Sequence, residues 1–185
     1  MRKNFGVKPM VYPMPVFIIG TYNEDGTANA MNAAWGGISE EDEITICVSA
    51  DHKTTENFTR TGAFTVSIAT AEFVRECDYV GIVSGNQEKD KLKKCGFHTV
   101  KSEFVNAPII IELPMALECL VRSYDPETCR LVGQIVNVGC DESVLTDGKI
   151  DPAKLRPITY DSANHTYRVI GEVVGKAFSG GLVFK

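Results

Sequence analysis

The chain holds one tryptophan and three histidines in 185 residues, and none of its six cysteines sits in a Cys-x-x-Cys pair. His52, His98 and His165 are far apart with no metal-ligand spacing, so no metal centre is expected. Cys47, Cys77, Cys95, Cys119, Cys129 and Cys140 lack the close spacing that dithiol redox chemistry uses. They are expected to be free thiols, most of them buried as small hydrophobes. No apolar run approaches the roughly 20 residues that span a bilayer. Met1 to Gly6 carries two basic residues but no apolar stretch, so no signal peptide is expected. Together these features predict a cytoplasmic protein without a membrane partner. A net charge of -5 argues against general nucleic-acid binding, which needs a basic face. No Gly-x-Gly-x-x-Gly occurs, which excludes a dinucleotide-binding Rossmann unit.

What is present suits one soluble domain over residues 1–185, with 44% hydrophobic and 23% charged residues. Val16 to Tyr22 reads as a buried strand, and Asn23-Glu24-Asp25-Gly26 as a hairpin turn returning through Ala28 to Ala33. Ile44, Ile46 and Val48 alternate with small polar residues, and Phe64, Val66 and Ile68 repeat that period. Between them Thr54 to Thr61 reads as a two-turn helix, with Thr54 as its cap and Gly62 as its stop. Glu72 to Val83 and Lys89 to Lys94 read as a helical insert, the lysine run being taken as a solvated face, with a lid over a site as the sharper alternative. Further strands are expected at Ile109 to Ile111, Met115 to Tyr124, Leu131 to Val138 and Tyr167 to Val174, with one helical turn capped by Asp151. Many short strands with turns predict a mainly β, closed or partly open antiparallel barrel.

Two segments carry chemistry. Asn29 to Gly37 is small, amide-rich and glycine-rich around Trp35, so a flat ligand can approach its backbone closely. Asp51 to Asn57 puts the Lys53 cation and the Thr54 and Thr55 hydroxyls at a helix start, where free N–H groups and a positive dipole end hold phosphate. A flat polar ring with a phosphate tail fits both segments, and FMN has that shape. Gly36 and Gly37 favour a loop at the site, and Glu118 is either outward-facing or a buried partner of Arg122 or Arg168.

The order of several motifs resembles the flavin reductase-like family, and within it the flavoredoxin group. The carriers are Tyr12-Pro13-Met14-Pro15, Ile19-Gly20-Thr21-Tyr22, Asn29 to Gly37, His52 to Asn57 and Gly62 to Val66. Ser84-Gly85, Asp90-Lys91, Ala107-Pro108, Leu117-Glu118-Cys119, Pro157 to Tyr160 and Tyr167 to Glu172 continue the match. The resemblance implies a Greek-key split β-barrel that binds FMN non-covalently and works as a homodimer, with the flavin near the dimer interface. It implies that Asn32, Ala33, Ala34 and Trp35 line the ring, with Thr21 and Ser49 nearby. His52, Lys53, Thr54 and Thr55 would hold the phosphate, and Asn57 would support the loop. Tyr160, Arg168 and Phe178 are further candidates to close the site, from the same chain or a second copy. One departure stands out: many family members carry a histidine before the strand at Leu131, where this chain reads Glu127-Thr128-Cys129-Arg130.

The expected function is therefore an FMN-dependent oxidoreductase, with chemistry at the flavin and no side chain required as acid or base. NADH or NADPH is a possible donor and would have to lie directly on the flavin face, or share its site with a free flavin that passes through as substrate. The alternative is a flavoredoxin-type carrier that keeps FMN and exchanges electrons with a redox protein; the missing histidine leans that way. A barrel that binds something other than flavin is a third reading.

Overall fold

Strand β1 (Phe17–Tyr22) is buried on both faces, which accounts for its unbroken apolar run. Phe17 and Ile19 face one core and Ile18 the other. The computed structural model describes all 185 residues. The strands that follow are β2 (Ala28–Ala33), β3 (Gly36–Glu40), β4 (Glu43–Cys47), β5 (Ala63–Ile68), β6 (Thr99–Lys101), β7 (Pro108–Ile110), β8 (Met115–Asp125) and β9 (Arg130–Cys140). Seven of them form one antiparallel sheet in the order β2-β1-β5-β8-β9-β4-β3.

The two edge strands of that sheet, β2 and β3, are consecutive in the chain and joined only by Ala34 and Trp35. A two-residue link cannot cross a flat seven-stranded sheet, so the sheet curls until its edges meet there. Register shifts on β8 between Glu118 and Cys119 and between Val121 and Ser123 supply part of the bend. The result is a split, half-closed barrel with Ala34 and Trp35 at its seam.

Inside the barrel, Ile44, Ile46, Val48, Phe64, Val66, Leu117 and Leu131 pack with Phe58 from helix α1 (Lys53–Thr61). Outside, helices α2 (Val74–Ile82) and α3 (Lys91–Cys95) cover the β1–β2 face through Cys77, Val80 and Leu92. This places the expected helical insert against β2, the strand that carries Asn29 and Asn32. The one-turn helix α4 (Pro152–Leu155) is capped by the Asp151 carboxylate, which accepts from the Ala153 amide at 2.9 Å. Two small hairpins complete the chain: β10 (Leu145–Thr146) with β11 (Lys149–Ile150), and β12 (Ile158–Asp161) with β13 (Thr166–Val169).

Several expectations are corrected. The last strand ends at Val169 rather than Val174. Gly36 and Gly37 begin strand β3 instead of forming a loop, because Gly37 pairs with Thr45 and Gly36 with Ile46. Only Cys77 and Cys119 are buried, Cys47 is exposed and the other three are partly covered. Burial pushes the Cys77 and Cys119 thiols up to about 12, which keeps them protonated and inert. Glu118 is buried, yet its partners are Ser102 and Asn137 (2.6 Å), not an arginine.

Candidate cofactor site

Helix α1 begins after His52, whose extended backbone makes it the N-cap; its side chain makes no capping bond. Thr54 lies inside the first turn, so its expected capping role passes to other work. Its Oγ1 accepts from Asn29 Nδ2 at 3.0 Å. Asn57 Nδ2 donates to Thr21 Oγ1 at 3.1 Å and Asn23 Oδ1 at 2.9 Å. Thr55 Oγ1 donates to the Ser49 carbonyl at 2.7 Å. Thr21, Asn29, Thr54, Thr55 and Asn57 are all buried. This network ties the helix start rigidly to β1 and β2.

The first free donors of α1 remain. Thr55 and Glu56 amides both turn back to the His52 carbonyl, at 3.0 and 3.2 Å, while the Lys53 and Thr54 amides bond nothing. His52 Nδ1 is buried without a partner. Lys53 Nζ is engaged, donating to Glu56 at 2.6 Å.

A cavity of about 140 Å³ opens over this helix start, bounded by His52, Lys53 and Thr54 on one side and by Ser84, Gly85 and Lys91 on the other. Lys91 is the residue that sequence reasoning missed. It belongs to the lysine run taken as solvated, yet it is only 3% exposed. Its Nζ donates to the Val80 and Val83 carbonyls at 3.1 and 2.9 Å, closing the C-terminal end of α2, and no carboxylate pairs with it. Burial holds its ammonium below the ordinary value, at about 8. The available signal was its place next to Leu92 and four residues before Cys95 on one helix face.

Two glycines set the width of the cavity. A Cβ on Gly81 would lie 2.8 Å from Asn32 Cβ, and one on Gly85 only 2.4 Å from Asn29 Oδ1. Their absence of side chain lets α2 and the following loop sit directly on β2. Asn86 Nδ2 then ties that loop to the Asp51 carbonyl at 3.1 Å.

Past the Gly81–Ile82 ridge a second cavity of about 400 Å³ continues, lined by Asn32, Ala34, Asp78, Tyr160, His165 and Tyr167. Asn32 Nδ2 donates to the Cys77 carbonyl at 3.0 Å. Tyr167 donates to Asp78 at 2.7 Å, and burial raises its phenol well above the usual range. Tyr160 OH lies 3.0 Å from His165 Nδ1. The two cavities adjoin across Gly81 and Ile82 and together make a groove with a narrow end at the α1 start and a broader end, with two tyrosines, at the barrel seam.

A family model for the flavin reductase like domain matches residues 10–172. The chain belongs to the flavin reductase-like family. Among solved structures it is similar to the flavoredoxin of Desulfovibrio vulgaris (Miyazaki F), with 38% identity and a TM-score of 0.94 over 98% of this chain and 100% of that one. It is also similar to flavoredoxin from Methanosarcina acetivorans, at 27% identity and a TM-score of 0.88 over the full length of both chains. An uncharacterized protein of Bacillus subtilis, YdfE, is 24% identical across 95% of this chain and 93% of its own length. Family membership supports a flavin-related oxidoreductase or electron-transfer role.

Within this flavin reductase-like fold, Asn32, Ala34, His52, Lys53 and Thr54 line the groove. Thr21 and Asn57 lie fully buried beneath it, supporting the helix start. Thr55 is buried against Ser49, whose carbonyl braces the loop. Ala33 points into the barrel core, and Trp35 stands 56% exposed at the seam. Arg168 bonds Asp161 at 3.1 Å, and Phe178 is fully exposed away from the groove. No helix is long and apolar enough to cross a membrane.

Proposed function

We propose that the groove holds FMN non-covalently and that the protein passes electrons or hydride through it. The observation that carries this reading is a buried ammonium without a carboxylate partner, Lys91, facing the same cavity as two free helix amides and an unpartnered imidazole nitrogen. Such a site is built for an anion: the helix start and the cation both favour a phosphate, which supplies the missing acceptors. The bound flavin supplies the redox chemistry.

The residues divide the work. Lys91, the Lys53 and Thr54 amides and the His52 side chain hold the phosphate. Thr21, Asn29 and Asn57 keep the helix start in place. Asn32 and Ala34 offer the ring a narrow wall beside Gly81, and Trp35 flanks it. Tyr160 and Tyr167 close the far side. The distant third reading, a barrel for a ligand other than flavin, is disfavoured by this phosphate-shaped end.

Within this reading, an electron carrier that keeps its FMN and serves a redox protein is favoured over direct NADH or NADPH oxidation. The turn Glu127-Thr128-Cys129-Arg130 offers no histidine, and flavoredoxins are among the similar solved structures. The six free thiols suit a reducing, cytoplasmic setting, and a homodimer is part of the proposal. The test is the visible spectrum of the protein with added FMN under anaerobic conditions. Flavin bands that bleach with dithionite but persist with NADH and NADPH support the carrier. Rapid bleaching by either nucleotide makes it a reductase. A protein that takes up no FMN overturns the proposal.

A further inference from the structure

The segment from Gly171 to Lys185 has no explanation within one copy of the chain. Its Val173, Val174, Phe178, Val183 and Phe184 are almost completely exposed. The last hydrogen bond to the body is from the Ile170 amide to the Pro157 carbonyl, at 3.3 Å. Beyond it, every hydrogen bond made by the segment stays within it. A segment that remains solvated is rich in charge and poor in large apolar side chains, and this one has the opposite composition. The alignment to the Desulfovibrio vulgaris flavoredoxin covers 98% of the chain, which leaves about four of 185 residues outside it, so the similarity extends into this segment.

The body offers a matching surface at the barrel seam. Trp35 and Ile38 are 56% and 64% exposed at the start of β3 and on it, and β3 pairs only with β4. An edge strand with exposed apolar residues is a surface that proteins ordinarily cover. Beside it the β3–β4 turn carries Glu40, Glu41, Asp42 and Glu43. Arg122 answers Asp42 and Glu43, leaving Glu40 and Glu41 without a cation. The segment brings Lys176 and Lys185, neither of which has an acidic partner.

We infer that residues 171–185 of each copy cross to a second copy of this chain and pack over its Trp35–Ile38 seam, with Phe178 as the apolar anchor. The exchange is reciprocal, as a two-fold dimer requires. Each phenylalanine covers roughly 150–250 Å² on burial. Two per segment, doubled by exchange and joined by the valines, Trp35 and Ile38, reach the roughly 1,200–2,000 Å² of a stable interface. Ala34 lines the broad end of the groove and adjoins Trp35, so the crossing segment also closes that end of the partner's site. Only this last consequence rests on the reading of the groove as a flavin site.

Trp35 is the only tryptophan, so its fluorescence reports the contact without any flavin present. In the full-length wild type, a dimer by light scattering with Trp35 shielded from acrylamide is expected. The triple variant Val173→Ser, Val174→Ser, Phe178→Ser should dimerise at least about tenfold more weakly, since a few buried apolar anchors carry most of such an interface. Its Trp35 should become accessible, with an unchanged far-ultraviolet circular dichroism spectrum. A photo-crosslinking phenylalanine analogue at position 178 should join two copies, at a peptide containing Trp35 or Ile38. A wild type that is monomeric at all concentrations overturns the inference. So does a crosslink formed within one copy, or a triple variant that dimerises normally with Trp35 still shielded. Loss of FMN binding by the wild type would sink the proposed function and leave these three readouts intact.

Discussion

The two ends of the groove are built on opposite principles. At the α1 end a buried, hydrogen-bonded network fixes the helix start, the Lys53 and Thr54 amides and His52 Nδ1 have no partner, and a cation is held there against the preference of burial. At the seam end the walls are aromatic, the cavity is larger and the chain's tryptophan faces solvent. Rigid, desolvated donors suit a group that stays anionic throughout, such as a phosphate monoester. An open end suits the part of a ligand that must meet a donor, an acceptor or a second subunit. On the proposed function, one copy of the chain pre-forms the phosphate anchor and leaves the ring end to be completed by a second copy.

Lys91→Met should break the anchor most severely. Loss of a charge-assisted bond costs about 1.5–3 kcal/mol, which is a fall in FMN affinity of roughly 10–150-fold, read by fluorescence titration. Riboflavin, without the phosphate, should bind the variant and the wild type alike. Stability of the ligand-free protein should change little, because relief of the buried charge is offset by the Val80 and Val83 carbonyls that lose their donor. Lys53→Met should cost less, about 1 kcal/mol or below, since that side chain is already spent on an exposed ion pair.

The same cation ties the two properties to pH with opposite signs. Its native value of about 8 lies below the ordinary 10.5. The folded protein therefore gives up this proton before the unfolded chain does. The cost of burying the charge is present in full below pH 8 and disappears as pH rises toward 10.5, so ligand-free stability should increase across that window. FMN affinity should decrease over the same window as the cation is lost. Urea unfolding and FMN titration at matched pH values check both, and parallel trends would remove Lys91 from the phosphate site.

Asn57→Ala tests the scaffold under the anchor. It strands Thr21 and Asn23 in a buried network, for a stability loss of about 1–3 kcal/mol in urea. At the other end Trp35→Ala should be the mildest change, within about 0.5 kcal/mol for the monomeric state. Its larger effect should fall on dimerisation, which sharpens the contrast between a finished end and an unfinished one.

Much of this was legible in the residues. The period-2 runs at Ile44–Val48 and Phe64–Ile68, the Asp25–Gly26 turn and the stop at Gly62 are local signals, and each element formed where they indicated. The motif order named the family that the domain match then established. Small local misses, such as the helix cap at His52 rather than Thr54, shifted boundaries only, and the misses that bear on the site were non-local. Lys91 looked like its exposed neighbours Lys93 and Lys94, because its spacing from Leu92 and Cys95 indicates a covered face but not that α2 is what covers it. Glu118 was matched to distant arginines, when the bulged pairing of β8 and β9 sets Asn137 beside it.

The sequence by itself determined the alternation of short strands, the helix start rich in donors and the small-residue stretch around Trp35, because propensity, capping and turn chemistry act within a few residues. Only the tertiary structure decided that β2 and β3 meet at a seam, that Lys91 is buried without a counter-ion, and that residues 171–185 leave the body uncovered. Those facts depend on which surfaces the curled sheet brings together, and burial is a property of neighbours that lie far apart along the chain.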